Sequence, residues 1–255
     1  MIINHLKKFI HLIYRETRIA YPARKNQITK LKSILEIKMP EGSRGVFVDC
    51  GAFDGCSVIK FKLANPEFDC ISFEPNPILW KYFKYIPTKL IKKGISNKNE
   101  KMKFRIDHID ADGSSLISTK KVLYGLHQSQ SEVKSIEIEC ISLANLIMTL
   151  ESKYDYIILK LDVEGAEYDI LEDLIARNLL DKLTKLYVEF HWQKCNFSEK
   201  RHSDLISNLK SRVVFEDWDA LEFAVHKRSR IRFFRRNLVL RKFSNFVVPK
   251  ELIDF

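Results

Sequence analysis

The sequence has few cysteines and no long apolar run, and each shortage excludes a class of protein. The five cysteines among 255 residues show no C-x-x-C spacing. We expect them to pack as small hydrophobic residues in a reducing compartment, not to form disulfides or a metal site. No run approaches the roughly 18–20 apolar residues that cross a bilayer. The N-terminal run FIHLIY is short and flanked by charge, so we do not expect a signal peptide. These features predict a cytoplasmic protein.

Charge is unevenly distributed along the chain, whose net charge is +10. Residues 1–40 and 226–255 each carry nine Lys or Arg against two acids, whereas residues 41–225 carry 25 basic and 29 acidic residues. We therefore predict a central domain, 41–225, between a basic helical extension, 1–40, and a second basic extension, 226–255. Such extensions favour an anionic partner, either nucleic acid or a membrane surface to which the protein would bind peripherally. The alternatives are solvated helix faces and, for the C-terminal extension, packing on the core.

From residue 45 onward, short apolar runs alternate with stretches of helical periodicity. This pattern indicates an α/β fold with a doubly wound, mostly parallel sheet covered on both faces. Two further segments with period-two patterning, KMKFRID and SIEIECI, are expected to pair around a polar loop. The predicted strands are 45–50, 69–74, 89–96, 156–162, 185–190 and 212–217, and the predicted helices are 56–65, 77–85, 142–152, 166–179 and 199–211.

A glycine turn follows the first predicted strand in VFVDCGAFDGCS. Asp49 ends the strand, and Gly51 and Gly55 precede a helix. Such a turn brings backbone N–H groups and a helix N-terminus close to a polar ligand. About twenty-five residues later the second strand ends in Glu74, where a carboxylate can accept hydrogen bonds from both ribose hydroxyls of a nucleoside. Together these features predict a nucleoside cofactor.

The composition of this turn favours one nucleoside over another. A dinucleotide needs a second glycine for close approach of its pyrophosphate, and Phe53 occupies that place. Asp54 would add a negative charge near the same phosphate. S-adenosylmethionine has no phosphate and carries a positive sulfonium, so it fits this turn better than NAD.

Acidic residues also gather after the fourth predicted strand, in KLDVEGAEYD. Residues two apart on a strand share a face, so we expect Asp162 and Glu164 to project together. The fifth strand leads into Glu189 and His191. Ligands of open parallel sheets bind at the carboxyl ends of the strands, near the switch in strand order, so these residues are predicted to line the rim of a cleft. Glu167, in the first turn of the next helix, is predicted to offset the helix dipole.

Five segments resemble, in the same order, the FkbM family of S-adenosylmethionine-dependent methyltransferases. They are VDCGAFDG, FEPNP, GISN, GSSL and LKLDVEGAEYDIL, and the likeness covers about residues 45–192. The resemblance implies a class I, Rossmann-like methyltransferase fold, and commonly O-methylation of a sugar or of a hydroxyl in a secondary metabolite. It also implies that Ser96 and the loop with Ser114 and Ser115 lie near the cofactor. The family usually has asparagine where this chain has Phe53.

Methyl transfer from a sulfonium to an alcohol is an in-line displacement in which the hydroxyl proton must be removed. We therefore predict Asp162, His191 and Glu164 as catalytic residues, with Asp162 or His191 as the base and Glu164 orienting the acceptor. We assign no residue to a metal, although a divalent cation on these same three residues is an alternative. The predicted cofactor-binding residues are Asp49, Gly51, Ala52, Gly55, Glu74 and Ser96.

The leading hypothesis is an S-adenosylmethionine-dependent O-methyltransferase that modifies a glycan, sugar or other small-molecule hydroxyl. Three alternatives stay open at this point. One is a methyltransferase that uses the basic extensions to bind nucleic acid or another anionic substrate, and another is an NAD-dependent oxidoreductase. The third is a non-catalytic binding module whose cofactor pocket is filled by Phe53.

Overall fold

The computed structural model describes residues 33–106, 113–118, 120 and 135–218. Within these residues, nine strands form two sheets. The strands are β1 (Gly45–Cys50), β2 (Asp69–Phe73), β3 (Lys89–Ile91), β4 (Gly94–Ser96), β5 (Glu100–Arg105), β6 (Ser135–Ser142), β7 (Tyr156–Leu161), β8 (Lys185–Val188) and β9 (Phe215–Asp217). The α-helices are α1 (Cys56–Ala64), α2 (Leu143–Leu150), α3 (Glu167–Ala176), α4 (Trp192–Cys195) and α5 (Glu199–Arg212), with 3-10 helices at Trp80–Tyr85 and Leu180–Lys182.

The larger sheet, as far as the described residues extend, has the order β3-β2-β1-β7-β8-β9, and its neighbouring strands are parallel. Strand β1 lies between β2 and β7, so the chain leaves it in one direction first and returns on its other side. The carboxyl ends of all these strands meet at one edge of the sheet. The predicted parallel α/β sheet is confirmed, and its switch in strand order lies between β1 and β7.

Alternate residues of β1 serve two separate cores, one on each face of the sheet. Val46 and Val48 pack with the side chains of α2 and α3. Phe47 points to the other face and stacks on Phe61 of α1, with ring centroids 4.1 Å apart and ring planes within 8°. Burying one such side chain stabilises the fold by about 1.5–3 kcal/mol. Because β1 is buried on both faces, its sequence is apolar and does not alternate with polar residues.

The smaller sheet has the order β4-β6-β5, and β5 is antiparallel to β6. The predicted pairing of KMKFRID with SIEIECI is thus confirmed. The single strand predicted over 89–96 is wrong, because β3 belongs to the larger sheet and β4 to the smaller one. The chain changes sheets at Lys92 and Lys93, where the ammonium group of Lys93 lies 2.9 Å from a carboxylate oxygen of Glu139 on β6.

Helices α1, α2, α3 and α5 match their predicted positions closely, whereas the short helix α4 has no predicted counterpart. Helices α2 and α5 begin after Ser142 and Ser198, whose hydroxyls accept the backbone N–H of Asn145 and Arg201, as N-cap serines do. The segment predicted as an α-helix over 77–85 instead contains the 3-10 helix. A tight turn precedes that helix, because the side chain of Asn76 accepts the N–H of Ile78 at 3.1 Å.

Cys50, Cys70 and Cys140 are buried in strands, as predicted. All five cysteines lie within the described residues, and there they form no disulfide. Among the helices of the same residues, none has the length and apolar character to cross a membrane. Residues 1–32 and 219–255 lie outside the described residues, so the two basic extensions and the domain limits at residues 41 and 225 stay predictions.

The buried side chain of Asn65 attaches the segment before β1 to the end of α1. Its amide oxygen accepts the N–H of Ile37 at 2.7 Å, and its amide nitrogen donates to the carbonyl oxygens of Leu35 and Phe61 at 2.8 and 3.2 Å. The bonds to Ile37 and Leu35 pair backbone groups of the segment before β1, whereas the carbonyl oxygen of Phe61 also accepts the backbone N–H of Asn65.

We predict that Asn65→Ala lowers the free energy of unfolding by about 2–3 kcal/mol, since it leaves buried backbone groups unpaired. The matched control is Asn208→Ala, because Asn208 is exposed on α5 and donates to a carbonyl oxygen one turn earlier. The control should change stability by less than about 0.5 kcal/mol. Urea unfolding of both variants measures the difference, and equal losses would contradict the role given to Asn65.

Candidate functional site at the carboxyl ends of the strands

The glycine turn after β1 joins the carboxyl ends of β1 and β2. The backbone N–H groups of Gly51 and Ala52 donate to the carbonyl oxygen of Phe73 at 3.1 and 3.0 Å. The N–H of Phe53 donates to Oε2 of Glu74 at 2.8 Å. The predicted glycine turn and the predicted ribose-binding acid are therefore in direct contact.

The start of α1 uses one of its own backbone N–H groups within the protein. Gly55 adopts φ +75° just before the helix, and the N–H of Cys56 donates to Oδ1 of Asp54 at 3.0 Å. With the N–H groups of residues 51–53 also used within the protein, the turn has few donors left for an anion. A site of this kind suits a ligand without phosphate groups better than a pyrophosphate.

The carboxylate of Glu74 is buried and held from two sides. Besides the bond from Phe53, its Oε1 accepts the N–H of Asn76 at 2.8 Å. Burial raises the pKa of Glu74 from 4.5 to about 7, although the two backbone N–H groups oppose the change. Each carboxylate oxygen keeps a second lone pair, so the group can still accept hydrogen bonds from a ligand.

A buried lysine, Lys160, connects the ends of β1 and β7. Its ammonium group donates to the carbonyl oxygen of Gly51 and to Oδ2 of Asp162, both at 2.9 Å, and lies 3.4 Å from Oδ1 of Asp49. Burial raises the pKa of Asp49 to about 6, with Lys160 opposing. Burial alone would lower the pKa of Lys160, but the carboxylates of Asp162 and Asp49 outweigh it and raise that pKa.

Glu164 lies in the site because of its position in a turn, which the alternation of side chains along a strand does not predict. β7 ends at Leu161, and Glu164 lies in the following turn with φ +60°, a left-handed conformation that is uncommon outside glycine. The hydroxyl of Ser115 donates to the carbonyl oxygen of Glu164 at 2.6 Å, and the ammonium of Lys120 contacts its Oε2. Asp162 and Glu164 are both in the site, but the turn rather than the strand brings them together.

Glu167 does more than offset the dipole of α3. Its side chain is fully buried and accepts the backbone N–H groups of Val163 and Gly165, the latter at 2.9 and 3.0 Å from its two oxygens. Oε1 also lies 3.1 Å from Nδ1 of His191. Glu167 thus fixes both the turn that carries Glu164 and the ring of His191.

His191 is buried among four carboxylates. Its Nε2 lies 3.2 Å from Oε2 of Glu164, 3.3 Å from Oε1 of Glu189 and 4.0 Å from Oδ1 of Asp162. Burial alone would lower the pKa of His191, but the neighbouring carboxylates, those of Glu167 and Glu189 first, outweigh burial and raise that pKa to about 10. In the described part of the chain, Asp162, Glu164 and His191 are also the group whose side chains are placed to share one metal ion.

The structure does not connect Ser96 with this cluster. Ser96 ends β4 in the smaller sheet, and its hydroxyl donates to Oδ1 of the adjacent Asn97 at 3.2 Å. Ser115, from the polar loop, is the serine that contacts the cluster.

Sequence reasoning missed Lys160 and Lys120. Lys160 stands inside an apolar strand and two residues before Asp162, and a lysine there is expected to need an acidic partner on the same face of the strand. That signal could have identified Lys160. Lys120 has no comparable signal, because it follows a loop and meets Glu164 through a contact between residues far apart in sequence.

The fold and the site together define the class of the protein. A parallel sheet with this strand order, a glycine turn after β1 and an acid after β2 is typical of Rossmann-like domains that bind nucleosides. The family model for the methyltransferase FkbM domain matches residues 49–216, about two thirds of the chain. The chain therefore belongs to the FkbM methyltransferase family, and the resemblance seen in its motifs is confirmed. Comparison with curated proteins and with solved structures gave no match.

We predict that Gly51→Ala costs about 3 kcal/mol or more of stability, because a Cβ at this position would overlap the backbone carbonyl of Asp162 and the residue has φ +77°. Gly42→Ala is the matched control, with φ +85° but nothing within 4 Å of an added Cβ. The free energy of unfolding of the control should fall by only about 1–2 kcal/mol, the cost of placing alanine in a left-handed backbone conformation. Urea unfolding compares the two variants, and similar losses would argue against close approach of β1 and β7.

Proposed function

We propose that the protein is an S-adenosylmethionine-dependent O-methyltransferase acting on a hydroxyl of a sugar, a glycan or another small metabolite. The observation that carries the proposal is the FkbM match over the segment in which the glycine turn contacts Glu74. Membership of a methyltransferase family supplies the reaction class, and the contact supplies a place for a nucleoside.

The residues at the strand ends fit S-adenosylmethionine in their chemistry. Asp49 and Asp54 would repel a pyrophosphate, and the N–H groups of the turn already have protein acceptors. A cofactor with a positive sulfonium and no phosphate avoids both problems. This reasoning disfavours the NAD-dependent alternative.

The proposed cofactor contacts divide between two strand ends. Glu74 would accept the ribose hydroxyls, and Gly51, Ala52 and Gly55 would form the adjacent wall of the turn. Asp49 lies behind the turn beside Lys160 and would favour the positively charged end of the cofactor. When bound there, S-adenosylmethionine supplies the electrophilic methyl group.

The proposed acceptor side is built from Asp162, Glu164 and His191. Oδ2 of Asp162 is held by Lys160, while its side chain keeps 20% of its surface exposed. Both ring nitrogens of His191 already face carboxylates, so Asp162 is the better candidate to take the proton of the acceptor hydroxyl. Glu164 and His191 would orient the acceptor.

A hydroxyl-bearing acceptor suits this surface because carboxylates accept hydrogen bonds from hydroxyl groups. Glu164 and Glu189 keep 15% and 21% of their side-chain surface exposed beside Asp162. An acceptor with several neighbouring hydroxyls could therefore be held by more than one acid. The proposed partners of the basic extensions, a membrane or a nucleic acid, depend on residues outside the described part of the chain.

Calorimetry with S-adenosylmethionine, S-adenosylhomocysteine and NAD tests the proposal. We expect the first two to bind and NAD not to bind, because the turn has few N–H groups left for a pyrophosphate. Transfer of label from methyl-labelled cofactor to a panel of sugars should then identify the acceptor.

Asp162→Asn should lower the rate of transfer by about a hundredfold or more, the scale of a lost general base, with little change in cofactor affinity.

Two results would contradict the proposed methyltransferase function. Tight binding of NAD alone would exclude the methyltransferase function, and absence of binding by all three compounds would favour the non-catalytic module. Asp173→Asn is a matched control for the base, because Asp173 forms an ion pair with Arg177 on α3. This variant should transfer methyl groups at the normal rate.

We predict that affinity for S-adenosylhomocysteine falls by about tenfold when the pH is lowered from 8 to 6. Glu74 has a pKa of about 7, and only its ionised form accepts hydrogen bonds from both ribose hydroxyls with full strength. Below that pH the carboxyl group is protonated and binding weakens. The charged neighbours of Glu74 are Asp49, whose pKa is about 6, and Lys160, which stays charged.

Glu74→Gln separates the titration of Glu74 from that of Asp49. The variant should bind more weakly at pH 8, and its affinity should depend much less on pH. Calorimetry at several pH values measures both effects. An equally steep pH dependence in the variant would assign the titration to Asp49 instead.

A further inference from the structure

We propose that Asp162, Glu164 and His191 form a binding site for one divalent metal ion of the Mn²⁺ type. The three side chains come from the turn after β7 and the turn after β8, and their candidate ligand atoms all lie within 4.8 Å of one another. This geometry does not depend on the proposed methyl transfer.

The orientation of His191 is the observation that points to an ion. Its side chain is 1% exposed, and Nε2 makes no hydrogen bond with the described residues although three carboxylates surround it. The N–H direction at Nε2 therefore aims at none of the three oxygens. An ion bound between these acids would give the buried Nε2 the partner that it lacks.

The opposite ring nitrogen of His191 is arranged as in known metal sites. Nδ1 lies 3.1 Å from Oε1 of Glu167, which is itself held by backbone N–H groups of Val163 and Gly165. A histidine that binds a metal usually donates its second N–H to a carboxylate in this way. With the proton on Nδ1, the lone pair of Nε2 is directed into the space between the carboxylates, where an ion can accept it.

The distances between the ligand atoms suit a shared ion. Ligand atoms about 2.2 Å from an octahedral ion are about 3 Å apart when adjacent and about 4.4 Å apart when opposite. Nε2 of His191 lies 3.2 Å from Oε2 of Glu164 and 4.0 Å from Oδ1 of Asp162. Only small side-chain movements are needed for all three atoms to reach one ion.

The neighbouring lysines contact one oxygen of each of the carboxylates of Asp162 and Glu164. Lys160 binds Oδ2 of Asp162, whereas Oδ1 of the same carboxylate faces His191. Lys120 contacts Oε2 of Glu164, and Lys194 lies 3.9 Å from it, but a carboxylate oxygen has a second lone pair. The carboxylate of Glu189, with Oε1 3.3 Å from Nε2, is the nearest further ligand.

The ligand set selects the class of ion. Two carboxylates are typical of Mg²⁺, Ca²⁺ and Mn²⁺, whereas an imidazole nitrogen favours transition metals. Mn²⁺ satisfies both preferences.

The experiment is a titration of the full chain with MnCl₂ after removal of metals, without cofactor or acceptor, followed by electron paramagnetic resonance. We expect one Mn²⁺ per chain and a ¹⁴N modulation of its signal from the imidazole of His191. His191→Gln should abolish the modulation and weaken binding by about tenfold or more, and Glu164→Gln should weaken binding similarly. The matched control is His202→Gln, because His202 bonds the hydroxyl of Tyr168 away from the cluster and should keep both the affinity and the modulation.

The proposal is overturned if Mn²⁺ shows no saturable binding below about 1 mM, or if His191→Gln leaves the modulation unchanged. The first result would mean that a proton on Nε2 is the only cation His191 holds among these acids. Thermal unfolding shows whether each variant is folded, and Glu164→Gln, at a less buried residue, provides the test if His191→Gln does not fold. Since the assay contains no S-adenosylmethionine, its failure leaves the proposed methyl transfer standing.

Discussion

The ammonium group of Lys160 lies in the interior of the protein where β1 and β7 separate, and the candidate site is arranged around it. Through the carbonyl of Gly51 and the carboxylates of Asp49 and Asp162, it links the two strands on either side of the switch in strand order. An isolated charge in that position would cost several kcal/mol, so the lysine and its acids depend on one another. Removing Lys160 would leave the buried carboxylate of Asp49 without its compensating charge.

The same linkage divides the acids of the site into two groups. Asp49 and Glu74, behind the glycine turn, have pKa values raised by burial, whereas Asp162 shares a direct hydrogen bond with Lys160. On the other side, Glu167 holds His191 in the middle of the remaining carboxylates. The first group lies in the part of this edge that we propose for the nucleoside, and the second lies in the part that we propose for the acceptor or a cation.

Much of this arrangement could be predicted from the sequence, because apolar runs and helical periodicity reflect burial directly. The limits of β1 and the pairing of β5 with β6 follow from patterning alone, and motif order identifies the family. The division of residues 89–96 between two sheets could not be predicted, since both halves carry the same strand-like pattern. The role of Glu167 was also hidden, because an acid in the first turn of a helix has a local explanation that needs no distant partner.

Burial of Asp49 and Glu74 has a consequence for any ligand that binds their ionised forms. Their ordinary pKa values are 3.8 and 4.5, and in the folded chain they are about 6 and 7. The stability that these raised pKa values confer is fully present below the ordinary pKa values. It is lost as the pH rises through the pKa values of the folded chain. Near neutral pH the empty protein thus carries a fractional proton that such a ligand must expel, and the measured heat of association will include the ionisation heat of the buffer that takes it up.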